Sequence, residues 1–422
     1  MPAPLLNQKL SELLLMKMLR RNRHLLGVLF ILLLFIFVFS RCVDKQEKEI
    51  IINKEGQQFA GAETCKSCHK DVYESFLKTA HHFTSQPANE KTIKEASGTD
   101  KPGYSFNYLS RVNIENRGDS FYQVEYYKGE ERSIHRMDIT IGSGTRGQSY
   151  LSWNENNLYQ LPVSYFASAH AWANSPGFPE GNPKFNRVVY TRCLECHTTY
   201  SDYNSGRKEA QAAEKPKILY GVSCEKCHGP AQKHVDFHTN NPAAKKAEFI
   251  INPASFTRVQ SLDMCALCHA GKKTPVKPTF SFAAGDTLDH FFAPSDTFAE
   301  GIDVHVNQSG LLARSKCFTN SKTLTCTTCH NTHNQERGNA ALFSQRCMSC
   351  HTQEQCHYCA ANPSFMAVTS RNCIDCHMPV QASKMLTVEL EKKEKKSPAK
   401  IRSHLIGIYP EETAKMMKYL QN

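Results

Sequence analysis

The pattern Cys-x-x-Cys-His occurs seven times in this chain of 422 residues, and it constrains the fold more than any other feature. Two cysteines three residues apart lie on one side of a helical turn, and the histidine follows directly. The cysteine pairs are Cys65 and Cys68, Cys193 and Cys196, Cys224 and Cys227, Cys265 and Cys268, Cys326 and Cys329, Cys347 and Cys350, and Cys373 and Cys376. The histidines that follow them are His69, His197, His228, His269, His330, His351 and His377.

This spacing is typical of covalent haem attachment. In such a site the two thiols add to the vinyl groups of one haem, and the following histidine becomes the proximal iron ligand. Random placement of the cysteines and histidines would give only ~0.03 copies of the pattern. Zinc sites and disulfide frameworks do not require a histidine after each cysteine pair. The sequence therefore predicts seven covalently bound haem c groups, each with one iron.

Each iron also takes a ligand on its other face or keeps that position open. Outside the motifs and His24, eleven histidines remain in the chain. Local context favours five positions as distal ligands: His81 or its neighbour His82, His234, His305, His333 and His404. His135, His170 and His357 are further candidates, whereas His238 and His290 are interpreted as solvated. The sequence does not indicate which distal histidine belongs to which motif.

The density of motifs predicts the fold class. From Cys42 onward the chain has about 54 residues for each haem, so the haems would form much of the core. We therefore expect a mainly α-helical protein with little regular secondary structure, wrapped around a haem array. One exception is Ser120–Ile141, which alternates as strands do around Lys128–Gly129 and predicts a β-hairpin. This segment predicts a small inserted β module.

These features divide the chain into five parts. We expect a signal peptide or N-terminal membrane anchor at 1–41 and a segment with the first motif at 42–102. An inserted β module is expected at 103–190 and a core with six motifs at 191–390. Residues 391–422 are interpreted as a charged linker and a C-terminal segment that supplies a distal histidine.

The N-terminus predicts export. The apolar run Leu25–Phe39 is 15 residues long and follows the basic cluster Arg20–Arg23. A membrane-spanning helix needs about 20 residues, so the run fits the h-region of a signal peptide, with an uncleaved anchor as the alternative. Ser40-Arg41-Cys42 resembles a relaxed lipoprotein box, which makes Cys42 a lipidation candidate, although Arg41 departs from the usual small residue. Both interpretations predict a periplasmic or cell-envelope protein, anchored to the membrane by a lipid or an N-terminal helix.

The charge argues against a nucleic-acid partner. The formal net charge is +11, but residues 1–41 contain six Lys or Arg and one Glu, so the remainder carries about +6. Each ferric haem adds two propionates and one net positive charge at iron, so seven haems would bring the total to about −1. We expect redox proteins as partners, together with the membrane, and we note a homo-oligomer as a further hypothesis.

Three cysteines in the body of the chain lie outside the motifs: Cys317, Cys356 and Cys359. The last two have the spacing of a haem site but no histidine after them. A disulfide in an oxidising compartment is one interpretation. An eighth haem with unusual ligation is the other.

Several segments resemble the multihaem cytochrome family around the tetrahaem electron acceptor of hydroxylamine oxidoreductase. That family belongs to a group with hydroxylamine oxidoreductase and pentahaem nitrite reductase. The segments are GVSCEKCHGPAQKH (221–234), TCTTCHNTH (325–333), NCIDCHMP (372–379) and RSHLIGI (402–408). The resemblance covers most of residues 61–410 and implies bis-histidine ligation that uses His81, His234, His333 and His404. The chain lacks the C-x-x-C-K motif of pentahaem nitrite reductase.

Two functions fit these features. The first is an electron carrier in which every iron has two histidine ligands, and the absence of a special catalytic motif favours it. The second is a multihaem oxidoreductase that acts on a small nitrogen or sulfur compound at one open iron. Arg136, Arg146 and Tyr150 lie near His135 in sequence and could serve such a site, but we assign no catalytic residue. A purely structural, filament-forming cytochrome is a third and more remote hypothesis.

Overall fold

The computed structural model of the chain describes residues 28, 31, 32, 49–94, 102–205, 215–294, 302–351, 372–391 and 396–421. The chain divides between Ile50 and Ile51, and the architecture that follows is that of the part from Ile51 onward. No helix among the described residues is long and apolar enough to cross a membrane. Most of the apolar run at 25–39 and the lipidation candidate Cys42 lie outside the described residues.

The described part of the chain contains 15 strands. They are β1 (Ser85–Pro87), β2 (Gly103–Ser105), β3 (Ser110–Arg117), β4 (Ser120–Tyr127), β5 (Glu130–Arg136), β6 (Ile139–Ile141), β7 (Gly147–Asn154), β8 (Asn157–Gln160), β9 (Val163–Phe166), β10 (Ala171–Asn174), β11 (Arg187–Val188), β12 (Thr198–Ser201), β13 (Ile218–Tyr220), β14 (Val380–Leu390) and β15 (Ser397–Arg402).

These strands form three sheets. A nine-stranded sheet runs in the order β1-β6-β7-β9-β10-β14-β15, with β8 paired to β7 and β11 paired to β8. A four-stranded sheet has the order β2-β3-β4-β5, and β12 pairs with β13. The strand pairs are antiparallel. The prediction of a mainly α-helical fold with little regular structure is therefore wrong.

The C-terminal hairpin explains much of this error. The sequence analysis places residues 380–390 in the multihaem core and 397–402 in a charged linker. In the structure these residues form β14 and β15, which pair with each other, and β14 also pairs with β10. Val388 and Leu390 of β14 are buried against Phe166, Ala173 and Ala399. The β structure is thus not a small inserted module, because its main sheet recruits strands from 85–87 and from 380–402. The alternation of apolar and polar residues within a strand does not specify its partner strand, so only the tertiary structure shows which strands the sheet contains.

The predicted hairpin is present as β4 and β5. Lys128 and Gly129 connect the strands with φ values of 53° and 88°, as a two-residue turn of type I′ requires. Phe121 and Val124 of β4 are buried, with exposed fractions of 5% and 0%. Phe121 belongs to a cluster that includes side chains of both the four-stranded and the nine-stranded sheet. That cluster comprises Ile93, Tyr104, Phe106, Val112, Ile114, Phe121, Met137, Tyr150, Leu161, Val163, Tyr165 and Trp172.

The helices of the described chain are short. They are α1 (Ala62–Cys65), α2 (Lys70–Phe76), α3 (Thr191–His197), α4 (Cys224–His228), α5 (Gln232–Asn240), α6 (Arg258–His269), α7 (Gln308–Ala313), α8 (Lys316–Asn320), α9 (Cys326–Cys329), α10 (Ala340–Met348), α11 (Cys373–His377) and α12 (Pro410–Gln421). The longest have 12 residues. Several consist of little more than a Cys-x-x-Cys-His motif, so packing against neighbours must hold them in place.

The sheet positions at least one motif directly. Leu194, between the cysteines of the second motif, is 1% exposed and packs with Leu151, Leu158 and Tyr203. These residues connect α3 to the nine-stranded sheet. A second apolar cluster surrounds Leu267 of the fourth motif. The motif residues between the cysteines therefore help to attach the helical part to the sheet.

Candidate functional site

Each motif forms one helical turn. We number them in chain order: motif 1 is Cys65–His69, motif 2 Cys193–His197, motif 3 Cys224–His228, motif 4 Cys265–His269, motif 5 Cys326–His330, motif 6 Cys347–His351 and motif 7 Cys373–His377. In motifs 1, 5 and 6 the histidine N–H donates to the carbonyl of the first cysteine, at 2.9, 3.0 and 3.0 Å. The turn brings both thiols and the histidine into one place, as covalent haem attachment requires.

Three motif histidines lie opposite histidines that are distant in sequence. The ring centroids of His269 and His81 are 6.2 Å apart. Those of His228 and His333 are 6.1 Å apart, with an interplanar angle of 22°. The ring centroids of His330 and His404 are 6.0 Å apart, with an interplanar angle of 25°. Each pair joins one motif histidine to one of the distal candidates.

This spacing fits two axial ligands of one metal. Imidazole nitrogens lie about 2 Å from a bound transition metal, and each ring centroid lies about 1 Å beyond, so two axial rings have centroids about 6 Å apart. Rings stacked face to face lie closer, as His135 and Phe185 do at 4.0 Å. The residues present therefore fit an iron held between the two rings of each pair.

Burial favours the neutral form of five of these six imidazoles. Desolvation lowers the pKa of His269 to about 4, with a smaller contribution from His81. Desolvation also lowers the pKa of His404 to about 4, assisted by His330. The pKa values of His81, His330 and His333 are lowered by burial as well. Only a neutral imidazole has a lone pair for a metal, so these pKa shifts favour metal binding at neutral pH.

A fourth association joins motif 2 to a distal candidate. Burial lowers the pKa of His197, and the charge of His305 lowers it further. The loop that carries His305 is fixed by Asp303, which is 7% exposed. Asp303 accepts hydrogen bonds from the N–H of His305 at 2.8 Å and from the Ser383 hydroxyl at 2.7 Å. Strand β14 thus helps to position His305.

Three histidines have one ring nitrogen fixed by a backbone carbonyl. Nδ1 of His228 lies 2.9 Å from Ile251 O, and Nδ1 of His377 lies 2.7 Å from Gly407 O. Nδ1 of His234 lies 2.7 Å from Glu248 O. A carbonyl can only accept, so each Nδ1 carries the proton and Nε2 keeps its lone pair, the usual arrangement of a metal-binding histidine.

Other candidates have different surroundings. His135 stacks on Phe185 with an interplanar angle of 10°. His170 has a φ of 47°, and its Nδ1 lies 3.5 Å from the Tyr165 hydroxyl. His357 lies outside the described residues, as do Cys356 and Cys359. Their roles, and that of Cys317 as a disulfide partner, stay predictions.

The motifs lie against one another through their cysteines. The pKa shifts of the motif thiols arise partly from one another, in the pairs Cys65 and Cys224, Cys196 and Cys268, Cys265 and Cys326, and Cys347 and Cys373. Electrostatic interactions also join Cys227 to Cys265 and Cys329 to Cys350. In motif numbers, these contacts form the series 1-3-4-5-6-7, with motif 2 attached to motif 4.

Sequence reasoning missed the carboxylates that hold this arrangement. Glu195 is 2% exposed and forms an ion pair with Arg192 at 2.8 Å. Glu225 is 3% exposed and accepts hydrogen bonds from the chain before motif 1. The available signal was an acidic residue between the two cysteines of a motif, where a haem-binding turn does not itself need a charge.

The sequence matches the family model described as cytochrome c554 and c-prime over residues 64–106 and 169–229. These two segments contain motifs 1, 2 and 3. No curated protein sequence gives a significant match. The narrower resemblance to the hydroxylamine oxidoreductase group stays a prediction.

The fold is similar to that in the crystal structure of the outer cell wall cytochrome OcwA. The TM-score is 0.51 and the sequence identity 16%, over 85% of this chain and 81% of that one. At this identity the similarity concerns the fold. Together, the family match and the fold support a multihaem c-type cytochrome that binds haem c covalently and transfers electrons.

Proposed function

We propose that the chain is an extracytoplasmic heptahaem c-type cytochrome that carries electrons between redox partners. The number seven rests on the seven motifs in the sequence. Ligation of each iron by two histidines is supported above all by the three ring pairs at 6.0–6.2 Å. In each pair a motif histidine faces one of the histidines that the sequence predicts as a distal ligand.

The pairs suggest a specific assignment of ligands. His81 serves the site of motif 4, His333 that of motif 3 and His404 that of motif 5. His305 is our candidate for motif 2, because its charge acts on His197. In each case the distal histidine comes from another part of the chain, so ligation would also hold those parts together.

His234 is our candidate for motif 1. Its Nδ1 is already fixed by Glu248, which orients Nε2. Its helix α5 begins beside the segment that leads into motif 1, because the N–H of Gln232 donates to Gln58 O at 3.2 Å. The carboxylate of Glu225 joins the same two segments.

The contacts between motifs support a relay. When bound, haem supplies one-electron redox chemistry at each motif. Electron transfer slows steeply with distance, so neighbouring attachment sites are the arrangement that a relay needs. The helices that carry motifs 4 to 7 contact one another in chain order, α6 with α9, α9 with α10 and α10 with α11. The buried, neutral imidazoles of His269 and His404 would serve as ligands to the iron.

The location and partners are part of the same proposal. The basic and apolar N-terminal sequence supports export, with anchoring through that segment or through Cys42. A similar fold occurs in a protein described as an outer cell wall cytochrome. We propose redox proteins as donor and acceptor, exchanging electrons with the chain outside the cytoplasm.

Low-temperature EPR of the oxidised protein, with haem quantified on the same sample, tests the proposal. We expect seven haems per chain and low-spin signals, because two histidines make each iron six-coordinate. A stoichiometric high-spin signal that shifts with nitrite or hydroxylamine would contradict the relay and favour the oxidoreductase. Fewer than seven haems would contradict the count.

A further inference from the structure

Glu225 is a buried carboxylate inside motif 3 that binds three backbone N–H groups. Its side chain lies between the two cysteines of the motif in sequence, and the residue is 3% exposed. The N–H groups of Ala60 and Gly61 donate to it at 2.7 and 2.9 Å. The N–H of Ala231 donates at 2.8 Å. A carboxylate only accepts, so this set of donors suits its ionised form.

The three donors belong to two different segments. Ala60 and Gly61 precede α1, the helix that ends at Cys65 of motif 1. Ala231 precedes α5, the helix that carries His234. Glu225 therefore binds both the segment that leads into motif 1 and the segment that follows motif 3. One side chain fixes the relative position of two attachment sites.

The charge of Glu225 is not neutralised by a cation. In the part of the chain that the structure describes, no Lys or Arg forms an ion pair with it. Glu195 of motif 2 differs, because Arg192 lies 2.8 Å from its carboxylate. Asp375 of motif 7 likewise pairs with Arg402. Among these three motif carboxylates, only Glu225 is both buried and held by peptide dipoles alone.

The field of this charge reaches both neighbouring sites. Glu225 directly follows Cys224 of motif 3, and it binds the N–H of Gly61, four residues before Cys65 of motif 1. A charge in a dry interior acts more strongly than one in water. Whatever redox group is attached at motifs 1 and 3 lies within that field.

We propose that Glu225 positions the attachment sites of motifs 1 and 3 and lowers the reduction potentials of the two groups bound there. A nearby negative charge stabilises the ferric iron relative to the ferrous iron, which has one positive charge fewer. The one-electron reduction then becomes less favourable at both sites. This inference rests on the proposed function, because it assumes that both motifs carry haem.

Three variants separate charge from shape. Glu225→Gln keeps the size of the side chain and removes its charge. Glu225→Asp keeps the charge on a shorter side chain. Glu74→Gln makes the same chemical change at an exposed position of α2, near motif 1. The measurements are haem content per chain and midpoint potentials from a spectroelectrochemical titration of each holoprotein.

We expect two midpoint potentials to shift upward in Glu225→Gln while the others stay at their wild-type values. Glu74→Gln should leave all potentials unchanged, since water screens an exposed charge. Fully loaded Glu225→Gln with unchanged potentials would overturn the inference. If Glu225→Gln fails to load haem, Glu225→Asp decides. If Glu225→Asp binds all its haems with wild-type potentials, the negative charge at residue 225 is responsible, as we infer. If Glu225→Asp also loses haem, the inference is overturned, and Glu225 only holds the two segments together. Absence of haem from the wild type would instead contradict the proposed function.

Discussion

Burial determines which histidine rings are neutral and can therefore bind a metal. His269 and His404 both have pKa values near 4, because desolvation disfavours their charged forms. A histidine on the surface keeps an ordinary pKa, so part of its population is protonated near neutral pH and cannot bind a metal. His81, His333 and His404 meet both conditions for a distal ligand, since burial lowers their pKa values and they lie about 6 Å from a motif histidine.

Replacing His404 tests this at the level of one residue. In His404→Ala we expect one iron per chain, that of motif 5, to change from low spin to high spin, because His404 faces His330 at 6.0 Å. EPR and the absorption spectrum of the oxidised protein measure the change. His290→Ala is the matched control, since His290 is exposed and should leave all spectra unchanged. An unaltered low-spin spectrum in His404→Ala would show that His330 has another partner.

Close backbone approach fixes the elements that carry the ligands. Gly221 follows β13 with a φ of 69°, and the N–H of the next residue, Val222, donates to His81 O at 2.9 Å. A methyl group at Gly221 would overlap the carbonyl oxygen of His82. Glycine at this position therefore allows the chain before motif 3 to lie against the turn that holds His81.

Alanine substitution at two glycines separates this contact from backbone strain. Gly118 has the same φ of 69° in the turn between β3 and β4, but nothing lies within 4 Å of the added methyl group. Gly118→Ala should cost about 1–2 kcal/mol for the left-handed backbone alone. Gly221→Ala should cost more, because it also displaces His81, and it should produce high-spin iron at motif 4. Thermal unfolding and EPR check both effects. Equal losses of stability with unchanged spectra would mean that the His81 turn tolerates the methyl group.

The two larger sheets are connected near the end of β14. Glu391 accepts hydrogen bonds from the N–H of Ser105 at 3.0 Å and from the Arg111 guanidinium at 2.7 Å. Burial raises the pKa of Glu391, but the bonds from Ser105 and the charge of Arg111 outweigh it, and the pKa is lowered. This contact joins the four-stranded sheet to the C-terminal hairpin.

The connection predicts a pH-dependent contribution to stability. The folded state binds fewer protons at Glu391 than the unfolded state, whose Glu pKa is about 4.3, so the stabilisation is present above that pH and is lost as pH falls through the folded pKa. The side chains are 30% and 34% exposed, so Glu391→Gln should cost about 0.5–1 kcal/mol at pH 7. The difference in Tm from the wild type should vanish at lower pH. The exposed Glu90→Gln is the control, and a constant difference across pH would contradict the role of the ion pair.

The sequence by itself determined the local chemistry of this protein. Seven Cys-x-x-Cys-His motifs specify attachment sites, because thiol spacing and the adjacent histidine are properties of a single turn. The hairpin at Lys128–Gly129 was predictable for the same reason, since strand alternation and turn residues are local.

Only the tertiary structure decided which distant residues meet. His404 lies 74 positions from His330, and nothing in either segment names the other. Two other features are also long-range. The pairing of β10 with β14 overturned the expected α-helical fold. The buried carboxylate of Glu225 connects the segments of motifs 1 and 3. Burial and hydrogen bonding between distant segments are properties of the packed chain, so a pattern read along the sequence cannot contain them.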